Sequence, residues 1–203
     1  MNLGEFHTVV QTEANKGTTL SGVIPSRVRM AARWLERNYT LKYMEQYKKA
    51  SLADGCVRLP NTVIKTINFI RYYKDSKWHY IRQIDPRQER TRETAFPTGF
   101  WIDGVEAIRF DAWPDEQLEV FIGVAEYTIW PTELTATHWL LDNAEDALLA
   151  KTMMLLAPHA RESRWLELYR DMMEGGIRTL LLADEELRQG ARDEAMEYGE
   201  GVI

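Results

Sequence analysis

Gln117-Leu118-Glu119-Val120-Phe121-Ile122-Gly123-Val124 sets Leu118, Val120, Ile122 and Val124 against Gln117, Glu119, Phe121 and Gly123 at two-residue spacing. Successive side chains of a strand point to opposite faces, so this alternation predicts a half-buried strand. Upstream, Val63 to Tyr73 is rich in Val, Ile, Thr, Phe and Tyr. Its alternation breaks midway, which predicts a bulge or a long twisted strand. Trp78 to Ile84 is expected to pair with it across Lys74-Asp75-Ser76-Lys77. Asp54-Gly55 and Asp103-Gly104 read as hairpin turns, because both residue types tolerate positive φ. Asp85 to Thr94, with Arg87, Glu89, Arg90, Arg92 and Glu93, reads as a polar, mobile loop.

Outside this β-rich stretch the apolar period changes to that of a helix. Phe6, Val9 and Val10 predict a short amphipathic helix from Leu3 to about Asn15, stopped by Lys16-Gly17. Pro25 opens a second helix, where its missing N–H costs nothing. Val28, Ala31, Ala32 and Leu35 form its buried face, widened by Met30 and Trp34, and Asn38 is expected to end it. After Pro131, Thr137 to Leu141 is apolar enough for a helical turn. Asp142 or Asn143 is expected to cap a helix that runs to Leu156 and breaks at Pro158. From Arg161 a long helix carries Trp165, Leu168, Tyr169, Met172, Ile177, Leu180 and Leu187 close to helical spacing. Gly175-Gly176 in its middle marks a kink or a close helix–helix approach, and Gly190 permits an earlier end. The expected fold is therefore α+β: terminal helices forming a helical bundle, residues 1–39 and 126–203, with an inserted antiparallel β-rich module, residues 40–125.

Composition narrows the function classes. The 203 residues are 45% hydrophobic and 28% charged, enough for a proper core. A single cysteine excludes an intramolecular disulfide and a four-thiolate metal site. No run of 18 apolar residues reads as a membrane span, and Met1 to Phe6 carries an acid and no apolar signal core, so synthesis in the cytosol is expected. Seven tryptophans hint at association. Charge is segregated: residues 1–139 hold 18 Lys and Arg against 17 Asp and Glu, residues 140–203 hold 7 against 14. An acidic C-terminal third does not bind nucleic acid by neutralising phosphates; it repels DNA, docks on a basic partner, or is a solvated helix face.

Motifs with a chemical mechanism are missing from the string: there is no G-x-S-x-G, phosphate loop, G-x-G-x-x-G or H-E-x-x-H. His7, His79, His138 and His159 fall in different predicted elements without ligand spacing, so structural or surface roles are expected. Cys56 reads as a small buried side chain before a strand. Asp142 and Asp146, one turn apart, fit cation binding or acid–base work or, more simply, the start of a helix. Arg29, Arg33 and Arg37 repeat every four residues and line one helix face, either solvated or docked on an acidic neighbour or a nucleic-acid backbone.

Two stretches carry a resemblance. Val23-Ile24-Pro25-Ser26 through Trp34-Leu35-Glu36-Arg37-Asn38-Tyr39-Thr40 resembles the opening helices of the head-to-tail adaptor proteins of short-tailed bacteriophages. Trp139-Leu140-Leu141-Asp142-Asn143-Ala144, running through Ala147-Leu148-Leu149 to Leu155-Leu156-Ala157-Pro158 and followed by Trp165, Tyr169 and a long acidic helix, is similar to their C-terminal helical pair. The resemblance implies a structural virion protein at the portal vertex and neck of the tail. It implies a homo-oligomeric, dodecameric ring between the portal and the tail or nozzle proteins, whose acidic bore passes DNA without sequence-specific binding. The absent motifs and scattered histidines lead to the expectation of no catalytic residue, cofactor or metal, and the lack of an apolar span to that of no membrane. The ring's interface residues would be Arg29, Arg33, Arg37, Trp165, Tyr169, Tyr198, Val202 and Ile203. The acidic tail from Gly190 to Ile203 would order on the portal or on a neighbouring subunit; the residues alone fit a frayed chain end without a role as well. Three other readings stay open from the residues: another connector-region protein such as a gatekeeper or tail-completion protein, an enzyme with a dispersed acid–base site, and a small regulatory binding module.

Overall fold

The computed structural model describes the chain except residues 16, 53, 60–62, 86, 88–91, 94, 105–106 and 198–203. It is a mixed α+β protein. The chain divides into two compact units, one of Met1–Tyr43 with Ile129–Ile203 and one of Met44–Thr128. No helix among the described residues is long and apolar enough to cross a membrane.

The first unit contains α1 (Leu3–Ala14), α2 (Ile24–Asn38), α3 (Trp139–Asn143), α4 (Glu145–Ala160) and α5 (Trp165–Glu197). Asn2 and Glu5 start α1 reciprocally: the Asn2 side chain accepts from the Glu5 N–H at 2.8 Å, and the Glu5 carboxylate accepts from the Asn2 N–H at 2.9 Å. Pro25 lies in the first turn of α2, and Val28, Ala31, Ala32 and Leu35 are buried. α4 packs between α2 and α5, and so buries Ala147, Leu148, Ala150, Thr152, Met153 and Leu156 around most of its girth. The Thr152 hydroxyl is satisfied there by the Leu148 carbonyl at 2.7 Å.

Three sequence expectations are corrected in this unit. The Asp142/Asn143 cap is replaced by a break at Ala144 between two helices, and His138 caps the first of them through its Nδ1. Pro158 does not end α4, which continues to Ala160 and stops at Arg161 in the left-handed region, φ 56°. A proline in the last turn loses one hydrogen bond while its fixed φ still suits the helix. α5 runs unbroken through Gly175, Gly176 and Gly190.

Of the two readings of Gly175-Gly176, the close approach is the one observed. A Cβ on Gly176 would lie 2.9 Å from the Ala147 backbone nitrogen and 3.2 Å from its Cα, whereas a Cβ on Gly175 would meet nothing within 4 Å. Gly176→Ala is therefore expected to push α5 off α4 and cost about 1–3 kcal/mol. Gly175→Ala is expected to stabilise by about 0.5–1 kcal/mol through helix propensity. Urea denaturation of the two variants checks the opposite signs.

The second unit holds β1 (Glu45–Leu52), β2 (Cys56–Arg58), β3 (Ile64–Lys74), β4 (Lys77–Gln83), β5 (Arg92–Glu93), β6 (Gly99–Asp103), β7 (Ala107–Phe110), β8 (Ala112–Trp113) and β9 (Leu118–Glu126). Seven of them form one sheet in the order β1-β9-β3-β4-β6-β7-β2. Leu118, Val120, Ile122 and Val124 of β9 are buried as the alternation predicts, in a core shared with Leu52, Ile70, Ile81, Ile108 and Phe110. The broken alternation of β3 corresponds to two register shifts against β9, at Ile64/Thr66 and Ile67/Phe69. Asp75 and Ser76, φ 50° and 60°, make the two-residue turn joining β3 to β4.

Here too the structure departs from the sequence reading. The sheet is not wholly antiparallel: β4 and β6 pair parallel. Asp103-Gly104 closes a true hairpin of β6 and β7. Asp54-Gly55 does not, because β1 pairs with β9 and β2 with β7; Gly55 takes positive φ to pass under the Trp113 ring. The expected polar loop contains β5, which pairs parallel with β8, and six of its residues, 86, 88–91 and 94, lie outside those described.

Candidate interaction surface

The charge pattern of α2 follows from its period. With Val28, Ala31, Ala32 and Leu35 turned into the core, Arg29, Arg33 and Arg37 lie on the outer face, all exposed, beside an exposed Met30. None of these three arginines forms an ion pair among the described residues. Arg27, two residues before the stripe begins, is engaged instead: its Nη2 is 2.6 Å from His159 Nε2 and its Nη1 donates to Met30 Sδ at 3.0 Å.

α5 has the opposite character. Tyr169, Ile177, Leu180 and Asp184 are buried along one stripe, and Glu167, Asp171, Glu174, Glu185 and Glu186 are exposed with only Arg170 and Arg178 among them between residues 167 and 186. Leu168 and Leu187, expected on the buried stripe, are 65% and 43% exposed: Leu168 lies about 100° round the helix from Tyr169, whereas Leu187 keeps the angular position of Tyr169 but comes after Asp184, the last buried residue of the stripe among those described. Tyr39, Met173, Ile177, Leu181 and Leu182 line an open groove of about 560 Å³ together with Glu174, Arg178 and Glu185.

Trp165 and Tyr169 are spent within the unit. Tyr169 is buried, packs edge-to-face with half-buried Trp165 at 6.5 Å, and donates its hydroxyl to Glu13 of α1 at 2.7 Å. Burial and that hydrogen bond hold its proton far more tightly than in a free tyrosine. Tyr169 thus joins α1 to α5 and offers no free surface. Tyr198, Val202 and Ile203 lie outside the described residues.

Two polar clusters escaped the sequence reading. Asp184 is buried on the inner stripe of α5; its carboxylate accepts from Arg188 Nε at 2.7 Å and from the backbone N–H of Lys42. Arg188 also reaches the Thr40 carbonyl at 3.4 Å, so this pair pins the segment after α2 onto α5. An aspartate one turn before an arginine, on an otherwise apolar stripe, was the available signal. The second cluster surrounds buried His138, whose Nε2 lies 3.9 Å from the buried Glu36 carboxylate, with Trp130 and Trp139 against its ring.

Burial lowers the His138 imidazole to about 4, and desolvation also lowers His7. Because these folded-state values lie below the unfolded one, the unfolded chain takes up protons first. Stability is then lost as pH falls from about 6.5 towards 4, by at most about 3 kcal/mol from His138. His138→Asn keeps a capping side chain and removes the titration, so denaturant midpoints measured between pH 7 and 5 should decline less steeply in the variant.

The other candidates have local partners. Asp142 lies 3.0 Å from the Met1 amino group instead of acting with Asp146. His79 stacks on Tyr72 at 5.0 Å. Cys56 is a free, half-buried thiol in β2, not a fully buried residue ahead of a strand. Among the described residues no group of three His, Cys, Asp or Glu is placed to hold a metal. No protein-family model matches the chain, and no curated protein matches it. What the geometry offers is therefore two outer helix faces of opposite charge on one unit.

Proposed function

We propose that the protein is a non-enzymatic, ring-forming head-to-tail adaptor that joins a capsid portal to the tail or nozzle of a short-tailed bacteriophage and lines the DNA exit channel. The observation that carries this reading is the pair of unpartnered faces in the helical unit. Arg29, Arg33 and Arg37 stand on α2, and Glu167, Asp171, Glu174, Glu185 and Glu186 on α5, with α4 between the two helices. Complementary patches at two different places on one subunit favour heterologous contact, which closes into a ring when the rotation permits. The resemblance of Val23–Thr40 and Trp139–Pro158 to the adaptor helices supplies the family. In this reading the terminal helices work as a bundle that meets its neighbours and the portal, in a dodecamer. Three arginines neutralise fewer than half of the seven net negative charges of residues 140–203, which leaves acid to line a bore that DNA must not stick to.

Mixing the purified protein with its cognate portal and imaging the product tests the proposal. A ring added to the portal base is expected; a portal left bare across a range of salt concentrations overturns it.

A further inference from the structure

An antiparallel sheet with one buried face ordinarily turns polar residues to solvent. The outward face of β1, β9, β3 and β4 instead carries six aromatic rings. Pairing places Tyr47 opposite Gly123 and Gly123 opposite Phe69, sets Lys49, Phe121, Arg71 and Tyr80 in one row, and puts Tyr73 opposite Trp78. Adjacent rings touch: Tyr47 and Phe69 at 6.0 Å, Tyr73 and Trp78 at 5.2 Å, Trp78 and Phe121 at 5.2 Å. Gly123 makes the room, since a Cβ there would lie 2.5 Å from the Phe69 ring. Packing of the rings on one another still leaves Tyr47, Tyr73 and Tyr80 exposed by 68%, 55% and 67%.

Arg71 sits in the middle of these rings. Its guanidinium lies 4.1 Å from the Trp78 centroid and 5.2 Å from that of Phe69, and Nη1 reaches the Tyr80 hydroxyl at 3.4 Å. It has no carboxylate partner among the described residues, and its Nε is buried without a hydrogen bond. Lys49, in the same row, is already paired with Glu119 at 2.7 Å. Exposed tyrosines beside a half-buried arginine that is ringed by Phe69, Trp78 and Tyr80 have the composition of a protein-binding hot spot.

We propose that this sheet face docks a protein partner that brings a carboxylate to Arg71 and lays small or apolar side chains against Tyr47, Tyr73 and Tyr80. Charge complementarity selects the occupant. A nucleic acid strand needs several spaced cations and free ring faces for its bases. Here the two cations already lie over rings of their own sheet, Lys49 over Phe121 and Arg71 over Phe69 and Trp78, and residues 44–128 hold 12 Lys and Arg against 13 Asp and Glu. Two copies meeting through this same face would set Arg71 near Arg71. An acidic surface of a different protein satisfies both the cation and the rings, whether or not the chain forms a ring.

The test is selection of 16-residue displayed peptides against the full chain, followed by fluorescence anisotropy with the synthetic peptides. Selected sequences are expected to combine Asp or Glu with apolar or aromatic residues. They should bind Arg71→Glu and, separately, the Tyr47→Ser/Tyr73→Ser/Tyr80→Ser variant at least tenfold more weakly, with circular dichroism unchanged. The tyrosine variant alters only exposed side chains, so it decides the question should Arg71→Glu misfold. Peptides that bind both variants as tightly as the parent overturn the proposal. So does a twenty-residue oligothymidine that binds through Arg71 and displaces the peptides, or self-association in sedimentation that Arg71→Glu abolishes.

Discussion

Asp111→Ala is expected to destabilise the β unit by about 3–5 kcal/mol. Asp111 is buried between β7 and β8. One carboxylate oxygen accepts from the backbone N–H groups of Thr98 at 3.0 Å and Gly99 at 2.9 Å; the other accepts from the Thr98 hydroxyl at 2.7 Å. Bonds to an ionised acceptor are about twice as strong as neutral ones. Alanine leaves two backbone donors without partners at the point where β6 begins, and each costs about 1–3 kcal/mol when desolvated. The entry to β6 matters because Gly99 also pairs with Arg82 of β4, the parallel step of the sheet. Asp111→Asn keeps one oxygen for the two N–H groups and lets the Thr98 hydroxyl turn round to accept, so a loss of about 1–2 kcal/mol is expected. Urea titration followed by tryptophan fluorescence reads both values. An alanine variant within about 1 kcal/mol of the parent would show that water replaces the carboxylate.

Reversing the α2 stripe, Arg29→Glu with Arg33→Glu and Arg37→Glu, is expected to abolish assembly on the portal while the subunit stays folded. All three side chains are exposed, so removing them disturbs no packing. The cost to the helix is confined to Arg37, whose charge suits the C-terminal turn; reversal there is worth about 0.5–1 kcal/mol. At the proposed contact the same change swaps attraction to the acidic α5 face for repulsion. The parental assembly should weaken between about 0.05 and about 0.5 M salt, as exposed ion pairs are screened over roughly 10 Å at 0.1 M. Reversing Glu174, Glu185 and Glu186 to arginine in the same chain should restore assembly in part. Micrographs of portal mixtures with the single-face and double-face variants check this. Rings from the α2 variant at parental yield would exclude the stripe as the subunit contact.

Much of the chain is legible because its periods are strong. The alternation in β9, the stripe of α2 and the turn at Asp75-Ser76 are properties of neighbouring residues, and neighbours in sequence remain neighbours in a strand or helix. The exposed arginine face of α2 was readable for the same reason. Tyr169 shows the limit. Its spacing places it on a helix face but does not say that Glu13, far away in sequence, would take its hydroxyl and remove it from the surface. Leu187 shows it too: it keeps the angular position of Tyr169 on the 33-residue helix and is still 43% exposed, because period does not say how far along a helix its neighbours reach.

The sequence by itself determined most of the local conformations, the α+β class, and which residues can be apolar on one side of an element. Local sterics and backbone hydrogen bonding act over a few residues, and side-chain period reports them directly. Tertiary structure alone decided what each face meets. Only pairing reveals that Asp54-Gly55 joins two strands that are not partners, that β4 and β6 run parallel, and that Gly176 rather than Gly175 receives the Ala147 backbone. The same holds for Asp111, whose three donors come from residues a dozen positions earlier. It holds for Arg71, surrounded by rings from neighbouring strands. Such contacts join elements that are distant along the chain, and their choice depends on strand order and helix packing summed over the whole core, which no short window of sequence contains.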